Sequence, residues 1–447
     1  MKLHFGKIEY MEKSSTKKNV LIYGFSSSNE APIINELKKR EKVQVVAWVN
    51  SRFSDGDFGN INHCRLKNYT PNRCPVHIYE EMFSNFMEFF FCRVRPKQMY
   101  LQKEKYYDYI DFFANYVNFF YDLLESRKVD VVFFANIPHL GPDFILFKLT
   151  KILGIKSYFF YQTLFPNKLI YAEDFSSLGN YIAKPKLTTD SLEIKNTFEK
   201  DLFYMHRGSS LLAKIKRKFR WISVRRSAIT LTYLIKFPYE LAYKRRLKKI
   251  ISHDVDFLKK YVYFAMHLQP EATTNPLGKI YADQALAIET LRKIIPEDWC
   301  IYVKENPYQD EFRRGRLFFD RIKSLPNTIV VPPDTSTYEL LKNCQFSSTI
   351  TGTVGWESIS GGKNTLIFGD SWYDSLPGVF KFSDKFRLED LLNYKIDHSI
   401  LQAEFNKLYS SFANGIIGQD YVKIYPNFDV ATNSRTVAEL MENLTNF

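Results

Sequence analysis

The chain is short of the residues that mark irregular or cross-linked proteins. Its 447 residues include 18 glycines and 18 prolines, too few for a collagen or a low-complexity linker protein. Five cysteines (Cys64, Cys74, Cys92, Cys300, Cys344) are scattered, and none forms a C-x-x-C pair. That excludes a disulfide framework, argues against a structural zinc site and fits a reducing, cytoplasmic compartment. There is no uncharged apolar stretch of the roughly 18 residues a spanning helix needs. The greasiest run, Phe144 to Phe165, is broken by Lys148, Lys151 and Lys156. The opening MKLHFGKIEYMEKSSTKKN has no apolar centre and does not read as a secretory signal. Walker A, G-x-S-x-G, H-E-x-x-H and G-x-G-x-x-G patterns are absent. Kinase, P-loop, α/β-hydrolase, zincin and ordinary dehydrogenase readings therefore lose their main support.

What remains is an ordinary globular composition, 45% apolar and 25% charged, with an unusual 16% of aromatics. The length allows two or three domains. The net charge is +13, and all of it lies between Arg207 and Lys260, which hold 16 Lys/Arg against 3 Asp/Glu. The centre of this segment, Lys214 to Lys249, begins KIKRKFRWISVRR and ends YKRRLKK, with Phe219, Trp221, Ile222 and Leu247 interleaved. Three readings compete. The segment is a basic amphipathic surface for anionic lipid, a phosphate-neutralising nucleic-acid patch, or a solvated helical connector. No nucleic-acid module accompanies it, so nucleic acid is not expected as a partner.

On either side of that segment the pattern alternates between strand and helix. Lys18–Phe25, VQVVAWV, Val129–Asn136 and IKSYFFYQT read as strands of the first half, with helices between them. Val262–Leu268, WCIYVKE, NTIVVPP, FSSTI and NTLIFG do so in the second. This predicts an α/β chain with two parallel, doubly wound sheets and a ligand cleft at the strands' carboxyl ends. The expected division is 1–200, a basic linker 201–260, 261–430, and a C-terminal helix 431–447 that packs back on the first half.

Four loops of the second half carry polar groups to that cleft. In TGTVGWESISGG, Thr351, Gly352 and Thr353 stand between a strand and a helix expected to start near Gly355. Open N–H groups and hydroxyls there suit a phosphate, and Glu357 one turn on suits a ribose diol. The same residues also make a plain helix start with Glu357 complementing the dipole. YVKENPYQD places Lys304 and Asn306 at a strand end, either at an anion or in a surface turn. HLQPEATTNP clusters His267, Gln269 and Glu271, and in PPDTSTYE one of Asp334, Thr335 or Ser336 is expected to cap the next helix. In the first half, His139 and Asp143 of NIPHLGPD and Glu30 of FSSSNEAP occupy strand-end loops. A histidine so placed suits a general base near neutral pH, or is a structural loop residue.

The ordered set MHLQPEATTNPLGKIYADQ, IYVKENPYQ and ITGTVGWESISGGKNTLIFGDSWYD, spanning about residues 262–373, resembles bacterial capsule and surface-polysaccharide biosynthesis proteins. That group includes the β-Kdo and related nonulosonic-acid transferases. The resemblance implies a GT-B-like fold, two Rossmann-like domains facing a central cleft, with no cofactor and no obligatory metal. The donor would be a nucleotide sugar, CMP-linked, held mainly by the second domain. The acceptor would be a glycan or lipid-linked glycan, with the enzyme peripheral on the inner face of the membrane. Residue by residue, the family's lysine–carboxylate–histidine–proline motif falls on Lys304, Glu305, Asn306 and Pro307. Asn306 replaces the histidine and can donate a hydrogen bond but cannot carry a charge. The Thr/Ser–Gly–Glu loop falls on Thr351, Thr353, Gly355, Glu357 and Ser358, and the His-x-Gln-Pro-Glu loop on His267, Gln269, Pro270 and Glu271. The catalytic base is expected from the first half: His139, or else Glu30 or Asp143. Alternatives on the same scaffold are a CDP-alditol phosphotransferase, a UDP-sugar transferase or epimerase, and a non-catalytic glycan-assembly partner.

Overall fold

The computed structural model describes residues 17–49, 51, 74–93, 105–182, 184–198, 238, 241–269, 271–307, 309, 314–419 and 421–446. In the first half, Lys18–Tyr23 (β1), Val43–Val49 (β2), Val131–Phe134 (β3) and Lys156–Gln162 (β4) pair in parallel, in the order β2-β1-β3-β4. Val20, Leu21 and Ile22 are fully buried in succession, so both faces of β1 are covered and the strand reads as an unbroken apolar run. The covering helices are Ala31–Leu37 (α1), Val76–Phe83 (α2), Phe86–Arg93 (α3), Tyr106–Ser126 (α4) and Pro142–Ile152 (α5). Lys168–Ala172 (β5) then returns antiparallel to β4, closing a hairpin that the sequence reading did not assign.

The second sheet is parallel throughout. Its strands are Tyr261–Ala265 (β6), Cys300–Lys304 (β7), Thr328–Val331 (β8), Phe346–Thr349 (β9), Thr365–Ile367 (β10) and Val379–Lys381 (β11), in the order β8-β7-β6-β9-β10-β11. The chain starts in the middle, winds to one edge, then returns to the centre and winds to the other, as in a dinucleotide-type doubly wound fold. Ser347 and Thr365 tolerate complete burial because their hydroxyls bond each other at 2.8 Å. Helices Gln284–Ile294 (α6), Arg316–Lys323 (α7), Thr337–Asn343 (α8) and Thr353–Ser360 (α9) connect these strands. Asp283 caps α6, and Ser336, one of the three expected candidates, caps α8.

After Leu388–Asn393 (α10) and His398–Ser410 (α11), the chain crosses back. Ala413–Asn414 (β12) pairs with β5 in the first sheet. Val430–Thr445 (α12) then lays Val437, Ala438, Met441 and Leu444 in one core with Ile33, Ile34 and Leu37 of α1. The architecture is therefore α/β, two doubly wound halves bound together at the chain's end.

Aromatics make the junction. Phe165, just past the carboxyl end of β4, sits edge-on to Trp356 of α9 at 6.2 Å and to Trp372 at 5.6 Å. Phe405, Tyr409 and Phe412 complete its surroundings. Such pairs add about 0.5–1.5 kcal/mol each beyond area burial. Of the basic segment, residues 241–250 are helical, with Tyr243 packed on Phe319 and Leu247 and Ile250 against the second core. Arg245, Arg246, Lys248 and Lys249 are on the exposed side. The stretch from Lys214 to Arg226, with Phe219 and Trp221, lies outside the described residues. Among the described residues no helix is long and apolar enough to cross a membrane.

Candidate active site

β6 and β9 are neighbours whose continuations wind to opposite sides of the sheet, and ligands of such folds enter the crevice at that switch point. The loop after β6 brings His267 there, and the loop after β9 brings Thr351 and Gly352. The two loops are locked together. His267 is buried; its Nε2 accepts the Thr351 backbone N–H at 3.1 Å and lies 2.9 Å from the Thr349 hydroxyl. An accepting Nε2 puts the ring proton on Nδ1. Burial, and then the charge of Arg314, bring the imidazole pKa down to about 3, so the ring is neutral and pins the loop.

This has a consequence for stability. The folded pKa lies below the unfolded value of 6.5, so the unfolded chain takes up the proton first. The stabilisation is complete above about pH 6.5 and is lost as pH falls toward 3. Thermal unfolding between about pH 6 and 4 is expected to fall more steeply for the wild type than for His267→Gln. Parallel slopes would show that His267 titrates normally.

Beneath the loops lies a buried ion pair. Arg314 and Glu305 are 1% and 2% exposed, with Nε 3.0 Å from Oε2. Arg314 also donates to the His267 carbonyl and to Gln269 Oε1, both at 2.9 Å. Gln284 receives the His267 N–H at 2.8 Å and donates to Gln269 at 3.1 Å. One guanidinium thus ties the end of β7 to the loop after β6.

Lys304, the last residue of β7, points its ammonium toward α8, donating to the Thr335 carbonyl at 2.6 Å and the Thr337 hydroxyl at 2.9 Å. Its third N–H has no partner among the described residues. Burial lowers its pKa, while Asp334 and Glu357 pull the other way. Glu357, 4% exposed on α9, also acts on Tyr263 and Tyr373, whose hydroxyls are pushed up chiefly by burial. Lys304 and Thr337, half-buried, and Glu357 and Tyr263, buried, therefore form one polar group beside the start of α9. That start requires glycine. A Cβ on Gly355 would lie 2.8 Å from two ring carbons of Tyr373, and one on Gly352 would lie 2.7 Å from the Thr349 hydroxyl. The Tyr373 hydroxyl in turn donates to the Gly352 carbonyl.

The other expected residues separate by position. Thr351 is held through its hydroxyl to the Thr273 carbonyl, and Thr353 opens α9 half-buried. Asn306 is half-buried, whereas Glu271 and Pro307 lie exposed at the rim. Ser358 turns away from the crevice and donates to the Lys363 carbonyl at 3.1 Å. Pro270 lies outside the described residues.

In the first sheet, β1 and β3 form the corresponding switch point, and all three candidates stand in its loops. Asp143 accepts the backbone N–H groups of His139 (2.9 Å), Leu140 (2.6 Å) and Phe144 (2.8 Å) and so fixes the start of α5. Glu30 Oε2 accepts from the Ser27 N–H at 2.8 Å and the Glu30 N–H donates to the Ser27 hydroxyl at 3.2 Å, a reciprocal pair in the turn before α1. The His139 Nδ1 donates to the Ile137 carbonyl, which leaves Nε2 as the accepting nitrogen. The reading from sequence passed over Tyr263, Thr337, Gln284, Arg314 and Tyr373. Among the described residues, no group of three or more His, Cys, Asp or Glu stands close enough to hold a metal ion.

No protein-family model and no curated protein matches the chain. Among solved structures it is similar to the β-Kdo 2,7-transferase KpsC of Thermosulfurimonas dismutans (11% identity, 81% of this chain and 96% of that one, TM-score 0.32). It is likewise similar to the UDP-GlcNAc 2-epimerases of Methanocaldococcus jannaschii (11% identity, 97% and 100%, TM-score 0.24) and Neisseria meningitidis (13% identity, 97% and 100%, TM-score 0.21).

Proposed function

We propose that the protein is a glycosyltransferase that takes a sugar from a nucleotide donor, a CMP-linked nonulosonic acid, and adds it to a surface glycan. The observation that carries this reading is the build of the β6/β9 switch point. A glycine-bearing helix start, an incompletely paired Lys304 and a buried carboxylate, Glu357, meet there. In this account the nucleotide lies across that crevice. The positive end of α9 and the Lys304 ammonium face its phosphate, and Glu357 accepts from the ribose hydroxyls.

The acceptor approaches from the first sheet. Its hydroxyl oxygen bonds to the anomeric carbon and the bond from that carbon to the phosphate oxygen breaks. CMP departs with the electron pair, and the hydroxyl proton passes to His139 Nε2. The exposed basic side of residues 241–250, extended by the segment from Lys214, holds the enzyme at an anionic membrane. Pelleting with phosphatidylglycerol vesicles but not with phosphatidylcholine vesicles is the expected result, and equal pelleting removes that part.

The reaction itself is tested by incubating the protein with CMP-Kdo, CMP-sialic acid, CDP-glycerol and UDP-GlcNAc, with a lipid-linked glycan acceptor, and identifying the product. CMP release coupled to glycan extension is expected. Turnover of CDP-glycerol or UDP-GlcNAc alone would reassign the enzyme to alditol-phosphate transfer or to UDP-sugar chemistry.

A further inference from the structure

A cavity of about 720 Å³, lined by both polar and apolar groups, lies away from the β6/β9 crevice. That volume falls within the ~300–1,000 Å³ of small-ligand pockets. One wall is the extended segment after Phe175–Ser177, and the other is α11. The segment is pinned in place. The N–H groups of Leu187 and Thr188 donate to the Ser410 carbonyl at 2.8 and 3.0 Å, and that of Ile194 donates to Gln402 Oε1 at 2.7 Å. The trough is therefore preformed.

Its own carboxylates are already matched. Asp190 pairs with Lys168 at 2.6 Å, and Glu404 pairs with Lys407 at 2.7 Å while also accepting from the Tyr181 hydroxyl. The groups left over are of another kind. The Lys186 ammonium, the hydroxyls of Thr189 and Ser191, and the Asn406 amide nitrogen make no hydrogen bond among the described residues. Lys184 spends one N–H on the Tyr171 carbonyl at 2.9 Å and makes no ion pair among the described residues. Burial brings its pKa down to about 8, and the charge of Asp374 opposes that.

From these groups we infer that the trough binds a saccharide bearing carboxylates. Open hydroxyl and amide groups match sugar hydroxyls, and uncompensated ammonium groups match the acid functions. The lining offers no pair of aromatic faces to stack a nucleobase. The inference rests on the glycan-transfer reading in one respect, that the ligand is a stretch of the acceptor or product chain. The trough is linked to the crevice only through intervening residues. Asp374, which acts on Lys184, follows Tyr373, whose hydroxyl holds the Gly352 carbonyl.

Calorimetric titration of the full chain with tetragalacturonic acid, maltotetraose and inorganic tripolyphosphate tests it, with CMP titrated in parallel. Tetragalacturonic acid is expected to bind, the other two are not, and Lys186→Ala with Asn406→Ala is expected to weaken it about ten-fold or more. Lys186 is exposed and Asn406 half-buried, accepting from Gln402 at 3.0 Å, and an unchanged melting temperature and CMP affinity would show the fold and crevice intact. Equal binding of tripolyphosphate, binding untouched by the double substitution, or no binding of tetragalacturonic acid would each overturn the inference. Failure here with CMP still bound leaves the crevice reading standing. Saccharide binding without CMP binding would instead remove the donor assignment.

Discussion

Arg314→Met is expected to destabilise the protein by about 3–5 kcal/mol, the cost of leaving a buried charge without its partner. Glu305 is 2% exposed, and after the substitution its carboxylate would keep the Asn306 N–H, at 2.9 Å, as its donor among the described residues. The His267 carbonyl and Gln269 Oε1 would also lose a donor each. The double variant Arg314→Met/Glu305→Gln removes the orphaned charge and should recover a substantial part of the loss. Urea unfolding of the three proteins measures both effects. A loss below about 1 kcal/mol in the single variant, or no recovery in the double, would mean that the pair is solvated in solution. Function should follow stability here, because Arg314 is what holds the loop after β6 against β7.

Lys304→Met is expected to lower turnover by about 10²–10³-fold, the scale seen when one preorganised charge-stabilising donor is removed. Methionine keeps most of the side chain's length and volume but not its charge. The Thr335 carbonyl and Thr337 hydroxyl lose their donor, which costs roughly 1–2 kcal/mol of stability and is read separately by melting. If Lys304 serves the departing phosphate, kcat falls far more than KM rises. An unchanged kcat would confine Lys304 to bracing α8.

The parallel strands were legible because burial on both faces makes each a short, continuous apolar run, as in VLIY of β1 and YVYFA of β6. The loop from Thr351 to Thr353 was legible as a strand-to-helix turn for a related reason, since a glycine flanked by hydroxyls stands there between such a run and a helical pattern. β5 was not legible. KLIYA lies only five residues past β4, and pairing through so tight a connection depends on the turn at Asn167, which takes a positive φ of 55°. β12 is two residues long and has no pattern of its own. The Arg314–Glu305 pair was hidden because charged residues in a loop are solvated by default, and only the packing of two strand ends buries this one. Tyr263 was hidden in the opposite way, as one more aromatic in an apolar strand. The part played by His267 could not be read at all, since the N–H that fixes its tautomer belongs to Thr351, 84 residues on. Ser358 shows the limit of motif spacing. It is one residue from Glu357 but about 100° around the helix, and it serves the turn at Lys363.

The account stands on a nucleotide lying across the β6/β9 crevice, and calorimetric titration of CMP into the wild type and Glu357→Gln tests that most directly. CMP is expected to bind the wild type more tightly than UDP or ADP, and the variant about ten-fold more weakly. Absence of CMP binding, or equal affinity in the two proteins, would contradict the placement of the donor at this crevice.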